Sequence, residues 1–558
     1  MENKDIAKVF KLLSQLMELH QENPFKIKSI ANASFKLDKL PFKLKDKSLA
    51  ELEKIDGVGK SSAAKITELL ETGTLKELED LIAITPTGII DMLSIKGLGP
   101  KKIEIIWNVL NIDTIGELYY ACNENRLIEA KGFGLKTQEE IRLAIEFKMA
   151  NAGRFLYARI ENLANQYLIL IQNFLKDIHA EVILTGEFRR KCEVIERLDY
   201  LVVATNANSI LKDLANQIET LCFNQTADGF TLKDLNGVNI KIITCQPAEK
   251  GNYLFETTGS LTHVELVKAL ITNGKKYKTE EELYASADLD FIEPELREGF
   301  NEVELSKNNE LPQLITYQDL IGTLHNHSTW SDGVHSIEEM ALYCRDVLNL
   351  QYLGMCDHSR TAVYAKGLTI ESVLNQHEEI NHLNKKLAPF KIFKGIESDI
   401  LTDGSLDYPD EILAKFDFVV ASVHSAMKMD EEKATARLVK AIENPFTTIL
   451  GHPTGRLLLA RNGYPLDFKK IIDACAANKV VIEINANPLR LDLDWRWHRY
   501  AVEKGVLLSI NPDAHRKEGF VDMQYGVYVA RKGGLSASNC LNTYNLTEIE
   551  SYFSNKKG

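Results

Sequence analysis

Ten of the thirteen histidines fall between His325 and His515, and several of them close a short apolar run. The runs are Tyr352-Leu-Gly-Met, Lys391-Ile-Phe-Lys-Gly-Ile, Phe416-Asp-Phe-Val-Val-Ala, Thr447-Thr-Ile-Leu-Gly-His, Val480-Val-Ile-Glu-Ile-Asn and Val506-Leu-Leu-Ser-Ile-Asn. Alternating with helical patterns, they predict a parallel β/α barrel or wound sheet, whose chemistry lies where strands end. In Leu324-His325-Asn-His327 an extended backbone projects both imidazoles to one face, with Asp332 following in the loop. Other strand ends carry His358, Glu397, His424, His452, and the pair Asp513 and His515. Buried imidazoles and carboxylates need partners, so a metal centre is the expectation. Mixed nitrogen and oxygen donors suit Zn²⁺, Mn²⁺ or Fe²⁺ rather than Ca²⁺. His335 and His498 stand outside this set, as do His377 and His382, which sit with Glu378 and Glu379 in a polar helical stretch and are expected on a solvated face. Trp495 and Trp497 either stack on a base or pack at a barrel rim.

At about 100–200 residues per domain, a chain of 558 residues predicts three or four domains. No apolar run reaches the roughly 18 residues that cross a bilayer, and the start lacks the layout of a signal peptide, so a soluble, cytoplasmic protein without membrane partners is expected. Eight scattered cysteines without a C-x-x-C pair predict free thiols. The net charge of −13 argues against adhesion to DNA through bulk charge. Local charge differs: Lys26, Lys28, Lys36, Lys39, Lys43, Lys45 and Lys47 crowd together near the start, which leaves room for a local phosphate-binding surface.

Residues 1–150 read as helices, with apolar positions such as Ile6, Val9, Phe10, Leu13, Leu16 and Met17 at the 3.6 period. Within them an apolar-x-Gly-apolar-Gly pattern recurs three times, at Ile55 to Gly59, Ile95 to Gly99 and Ala130 to Gly134. In the helix-hairpin-helix reading, Gly57, Gly59, Gly97, Gly99, Gly132 and Gly134 open backbone N–H groups toward a phosphate at the next helix's start. Lys60, Lys101 and Lys136 add charge. Such contact positions DNA without reading its sequence. β-rich segments near 182, 200 and 238 predict a small sheet, and the polar stretch Asn301 to Pro312 is the best linker candidate, with a boundary near 315.

The run Gly186-Glu-Phe-Arg-Arg-Lys-Cys-Glu-Val-Ile-Glu-Arg-Leu-Asp199 resembles the palm of family X DNA polymerases, matching at Gly186, Arg189, Arg190, Glu193 and Asp199. By that resemblance the serine that holds triphosphate is replaced by Glu187, the first metal-binding aspartate by Arg197 and the third by Asn239. Two-metal phosphoryl transfer needs several converging carboxylates, so the expectation is a palm without Mg²⁺ and without polymerase activity. Strand alternation puts Glu196 on the wrong face to substitute.

The C-terminal set resembles the polymerase and histidinol phosphatase (PHP) family, with all nine ligand positions filled. The resemblance implies a distorted β/α barrel holding up to three ions: His325, His327, Glu397 and Asp513 at one, Glu397, His424 and His452 at a second, Asp332, His358 and His515 at a third. It implies metal-assisted hydrolysis centred on His325, His327, Glu397 and Asp513, with Arg360, Arg456 or Arg516 neutralising charge. End to end, the module order resembles a bacterial family X DNA polymerase with a C-terminal PHP exonuclease domain. The expected architecture is multidomain, α+β and α/β: a helical DNA-binding domain over 1–84, helical fingers over 85–149, a nucleotidyltransferase-like palm over 150–250, a thumb-like region and linker over 251–315, and the PHP barrel over 316–558. The expected function is a 3′–5′ exonuclease or phosphoesterase acting on gapped or 3′-ended DNA in repair, irrespective of sequence. The alternatives are a working gap-filling polymerase/exonuclease, a non-catalytic DNA-repair scaffold and a small-molecule phosphatase.

Overall fold

A computed structural model describes residues 1–558 except 2, 38, 39, 41, 96, 129, 151, 152, 179, 206–219, 227, 228, 235, 236, 272, 273 and 558. Of the lysine crowd near the start, Lys39 therefore lies outside the described residues. The chain divides into two compact units, Met1–Lys148 and Met149–Gly558.

The first unit is helical. Helix α1 (Asn3–Leu19) buries Ile6, Phe10, Leu13, Leu16 and Met17, the stripe its period announces, and packs it against α2 (Pro24–Leu37). The same helix meets Lys76–Ile84 and Pro100–Asn108. Full burial of such side chains contributes about 1.5–3 kcal/mol each, so α1 is the axle of this unit. His20 at its end donates or accepts at Thr85 Oγ1, 2.7 Å away, and sets its ring edge-on to Trp107.

Among its described residues the second unit holds a two-stranded pairing of Phe155–Leu156 with Val194–Ile195 and two larger sheets. In the five-stranded one, β1 (Glu181–Thr185), β2 (Arg197–Val203), β3 (Thr220–Thr226), β4 (Gly229–Asp234) and β5 (Asn239–Cys245) run in the order β1-β2-β5-β4-β3. Strands β2 and β5 are parallel, in a register that sets Arg197 beside Asn239. The hairpin β3–β4 escaped the sequence reading because neither strand is a long apolar run; β4 alternates buried with half-buried residues, as a sheet with one wet face does. The expected linker is partly helical: Glu302–Lys307 forms a helix with Val303 and Ser306 buried. Glu302 fixes it, accepting from the amides of Gly299, Phe300 and Asn301 and pairing with buried His263 at 2.7 Å. A polar composition here marks buried hydrogen bonding, not a free tether.

The larger sheet is all parallel: β6 (Gly322–Thr323), β7 (Tyr352–Met355), β8 (Lys391–Asp399), β9 (Phe418–Ser422), β10 (Ile449–Leu450), β11 (Val481–Asn485) and β12 (Leu508–Asn511), paired in sequence order. A bridge between Asn326 and Ala514 joins the two ends and closes the barrel. Both faces of each strand are covered, which is why the strands read as continuous apolar runs. Phe553 of the helix Leu546–Lys557 stacks on Phe418 at 5.0 Å, adding the chain's end to one of the barrel's two apolar clusters.

Candidate metal centre

Six of the seven barrel strands deliver donors to one place because each ends at the same rim. His325 and His327 follow β6, His358 follows β7, Glu397 closes β8, His424 follows β9, His452 follows β10, and Asp513 and His515 follow β12. Asp332 comes from the loop after His327. Extended backbone turns His325 and His327 to one side, and the single residue between them, Asn326, points away to Thr323 and the Gly354 carbonyl.

The distances suit donors that share a cation. His325 Nε2 stands 3.4 Å from Glu397 Oε1 and 3.5 Å from Asp513 Oδ1, while His327 Nε2 stands 2.9 Å from Asp513 Oδ1 and 3.7 Å from Glu397 Oε2. With metal–ligand bonds of about 2.0–2.1 Å, the donors of a tetrahedral site lie roughly 3.3 Å apart. Around Glu397 a further group gathers: His424 Nε2 at 3.1 Å, His452 Nε2 at 2.9 Å and His358 Nδ1 at 2.8 Å. Asp332 faces His358 at 3.5 Å and His515 at 3.4 Å. Donor atoms that can converge on one ion form the groups His325, His327, Asp513; His358, Glu397, His424; and His327, Asp332, His358, His515. His327 and His358 thus each face two groups, a sharing beyond the partition that the family resemblance implies.

The fit to cations rests on orphaned atoms. His325 Nε2, His327 Nδ1, both ring nitrogens of His358, Asp332 Oδ2 and Glu397 Oε2 are buried and without a hydrogen-bond partner among the described residues. Leaving so many polar atoms unsatisfied would cost about 1–3 kcal/mol each, so the donor set fits divalent ions. Burial alone would raise the Glu397 carboxyl, but His424, His325 and His358 overcome it and hold it well below the usual range. Burial likewise works against charge on His424, yet Glu397 and Asp399 lift it to about 9, whereas burial, with His515 and His358 nearby, drops His327 to about 4. The rim is an alternation of opposite charges under tension, as a site built around cations must be.

A second layer went unread in the sequence. His325 donates Nδ1–H to Glu483 Oε1 at 2.7 Å, which turns Nε2 inward. Glu483 in turn accepts from Asn511 Nδ2 at 3.1 Å and from the His452 amide at 2.7 Å. Asp399 takes the same part for His424 at 2.5 Å, and Asp357 gathers Ser328, Ser331 and Gln376. Such carboxylates fix the tautomer and aim of a ligating imidazole. The signal was available: Glu483 is a lone charge inside the apolar strand Val481-Ile-Glu-Ile-Asn. Asp513 carries a left-handed backbone, φ 53°, a strained conformation for a residue other than glycine.

Other expectations move. Arg360, half exposed, pairs with Asp407 at 3.2 Å, and Arg456 pairs with Asp494 at 2.7 Å and donates to the Arg490 carbonyl. His377 is buried against Phe416, ring centroids 5.0 Å apart, and does not lie on a solvated face. Trp497 stacks on Phe468 at 5.0 Å and Trp495 is buried against Phe300, so both pack.

The small sheet tells the opposite story. Gly186 has φ 62°, and a Cβ there would stand 2.5 Å from Asp199 Oδ2, so only glycine lets this turn lie against the carboxylate. Arg197 holds that carboxylate in a two-pronged pair, Nε to Oδ1 at 2.5 Å and Nη2 to Oδ2 at 3.1 Å. Glu187 accepts from the Glu196 amide at 2.7 Å, and Glu196 pairs with Arg154 at 3.2 Å. Asn239 donates to the Glu196 carbonyl at 3.3 Å. Arg190 binds Glu298 at 2.9 Å and the Thr258 carbonyl at 2.7 Å, and buried Lys532 of the barrel side closes on the same Glu298. Arg189 grips Glu280 at 2.6 Å. Asp199, Glu196, Arg189 and Arg190 thus each have a charged protein partner, and Glu187 and Asn239 have backbone ones.

In the first unit the three glycine hairpins share one turn, the amide of Val58, Leu98 or Phe133 donating to the carbonyl three residues earlier at 2.9 to 3.1 Å. Gly59 and Gly99 cap the helices Lys60–Thr72 and Pro100–Asn108 with extended backbone, and a Cβ on either, or on Gly134, would meet nothing within 4 Å. Neither a left-handed conformation nor internal packing requires glycine there. Lys60, Lys101 and Lys136 are exposed beside these turns. In contrast Lys26, Lys36 and Lys47 are taken up by Glu77, Asp56 and Glu51.

Two family models match this unit: a helix-hairpin-helix domain over residues 1–75 and a SAM-like helix-hairpin-helix tandem over residues 89–146. The chain is 33% identical, over 99% of its length and 99% of the relative's, to the DNA polymerase/3′-5′ exonuclease PolX of Bacillus subtilis. It is also 30% identical to a protein called a probable phosphatase in Thermoanaerobacter, over 31% of this chain and 73% of that one, and 35% identical to another in Caldanaerobacter subterraneus, over 18% and 39%.

Proposed function

The chain belongs to the bacterial PolX family of DNA polymerase/3′–5′ exonucleases with a C-terminal PHP domain, and from that membership we propose that its working activity is the metal-dependent 3′–5′ phosphoesterase of the barrel while its palm is silent. The observation that carries the reading is the set of buried, unpartnered donors from His325 to Glu397 at one barrel rim. Divalent ions of the Zn²⁺, Mn²⁺ or Fe²⁺ kind, up to three of them, supply there an acidified water and positive charge for a phosphodiester's developing negative charge. The chain's own part is to hold them: Glu483 and Asp399 aim His325 and His424, and Glu397 stands within reach of both neighbouring groups. Buried His327 and Asp513, 2.9 Å apart, complete the first group.

The palm lacks the converging carboxylates that hold two cations. Arg197 sits on the carboxylate of Asp199 with a fixed positive charge, and Arg190 is spent on Glu298. DNA, engaged by its backbone at the three hairpins and without regard to sequence, brings a 3′ end or gap edge to the barrel. In this reading 1–84 and 85–149 grip DNA, 150–250 and 251–315 are frame, and 316–558 hydrolyses.

A gel assay on a 5′-labelled primer across a short DNA gap, with Mn²⁺ or Mg²⁺ and with or without dNTPs, tests it. Shortening that vanishes in His325→Ala, without extension by either protein, supports the reading; extension overturns the silent palm. The second reading, a gap-filling polymerase, is favoured by identity along the whole PolX chain. It requires that Asp199→Ala abolish an extension that the native protein performs.

A further inference from the structure

The two carboxylates that aim rim imidazoles are themselves held in different ways. Glu483 lies inside a strand and is gripped at both oxygens from neighbouring strands and strand ends: Asn511 Nδ2 donates to Oε1 at 3.1 Å, and the His452 amide at 2.7 Å and Asn485 Nδ2 at 3.3 Å donate to Oε2. Asp399 accepts from His424 Nδ1 on Oδ1 at 2.5 Å, and its other oxygen has one donor, Thr361 Oγ1 at 2.8 Å. Among the described residues no other side chain hydrogen-bonds to this carboxylate. Thr361 belongs to the loop after His358 and lies at the surface. Buried Asp407 fixes it: its Oδ2 accepts from the Thr361 amide at 2.7 Å and stands 3.0 Å from the hydroxyl, while its Oδ1 accepts from half-exposed Arg360 at 3.2 Å. A hydroxyl has one proton to give, and Asp407 already holds the amide and the guanidinium, so the proton of Thr361 is left for Asp399. A line of hydrogen bonds thus runs from the surface to a rim imidazole, through Arg360, Asp407, Thr361, Asp399 and His424.

The backbone at Asp399 is settled independently, its amide donating to Ser359 Oγ at 2.9 Å. Gly367 lets the same loop fold back on itself, since a Cβ there would stand 1.9 Å from the Ser359 carbonyl. Only the plane of the Asp399 carboxylate therefore depends on Thr361. A carboxylate held at one oxygen alone turns about its own axis, and the imidazole that it aims turns with it. We propose that Thr361 is a positioning residue for the ion that Glu397 and His424 share, and that this ion is held more weakly than the one of His325, His327 and Asp513, whose orienting carboxylate is fixed by strands. The inference rests on the reading of the rim as a metal centre and deepens it, ordering the ions by affinity and naming a surface side chain that sets the order.

Calorimetric titration of the full chain, stripped of metal, with Mn²⁺ and separately with Zn²⁺ reads this without reference to turnover. His424→Ala marks the binding step that belongs to this ion, and that step is expected to be weaker than the one Asp513→Ala abolishes. Thr361→Val keeps the shape of the side chain and removes its donor, so it should loosen the His424 step about tenfold and leave the other steps unchanged. Thr361→Ser keeps the hydroxyl and should restore that step to within about twofold of native. Arg360→Gln, two links further out, should loosen the same step about threefold. Loosening of every step alike, no change in any, or failure of serine to restore affinity overturns the role of Thr361. A His424 step tighter than the Asp513 step overturns the order of affinities. Should Thr361→Val fail to melt cooperatively, Arg360→Gln decides: a shift confined to the His424 step supports the line of hydrogen bonds, and an unchanged step overturns it. A native chain that binds ions, none of them lost in His424→Ala, overturns this inference alone; one that binds no ion overturns the metal centre with it.

Discussion

The palm and the barrel rim of the second unit both gather acidic and basic side chains at the ends of strands, yet they are left in opposite states. In the palm the central charges meet protein charges: Arg197 on Asp199, Arg154 on Glu196, Arg190 on Glu298. At the rim, imidazoles and carboxylates crowd to 2.8–3.7 Å while buried atoms of His325, His327, His358, Asp332 and Glu397 have no hydrogen-bond partner among the described residues. A fixed guanidinium neutralises a carboxylate permanently and leaves nothing for a mobile cation to gain. Orphaned donors gain everything from one. The same residue types thus make a strut in one place and a metal-binding site in the other, according to whether the chain itself supplies the counter-charge.

The sharpest way to break this comparison is to remove a ligand. Asp513→Ala should lower nuclease activity by 10³-fold or more, several kcal/mol of lost charge stabilisation, and should reduce bound metal measured by elemental analysis. Activity that survives would mean that the rim is a strut like the palm. Glu483→Gln comes next. It keeps size and shape but weakens the hold on His325, so metal affinity should fall about 10- to 100-fold. Titration of the stripped protein with Zn²⁺ or Mn²⁺ reads this without reference to turnover; unchanged affinity would reduce Glu483 to a packing residue.

In the palm, Arg197→Met tests the opposite proposition. Asp199 is buried, and loss of its partner strands a carboxylate, an expected cost of about 1–3 kcal/mol. Denaturant unfolding should show the loss with nuclease activity retained. A neutral result would mean that Arg197 is dispensable and that the pair is a surface accident.

The difference between the two regions was legible in the sequence to unequal depth. The rim ligands could be read because a parallel strand is a continuous apolar run, and a histidine or carboxylate closing such a run stands out; the donors that gather at the rim were singled out that way. Glu483 was missed because it sits within the run, where one charge looks like noise in an otherwise good strand. Arg197 and Asn239 could be named from the pattern of the palm, but the register that sets them side by side exists only once β2 and β5 pair. His377 was misjudged from its acidic neighbours, although Val373, Ile380 and Leu387 trace the buried face on which it lies.

The smallest effect expected is a gain, and it bears most directly on the proposal that the palm is silent. Asn239 lies beside Arg197 on the adjacent parallel strand, and Arg197 and Asp199 share a face of β2, so Arg197→Asp with Asn239→Asp would bring three carboxylates together. Without metal their mutual repulsion should make the doubly substituted protein less stable than the native one. With Mg²⁺ at about ten times its dissociation constant, binding should return about 1.4 kcal/mol, a stabilisation the native palm, with Arg197 in place, should not show. Calorimetric titration with the rim disabled by Asp513→Ala isolates the palm's response. Heat and stabilisation in the substituted protein alone would mean that the frame is intact and only its charges have changed. Heat in the native protein would mean that Asp199 holds a metal despite its arginine, and the contrast between the two regions would then be one of degree.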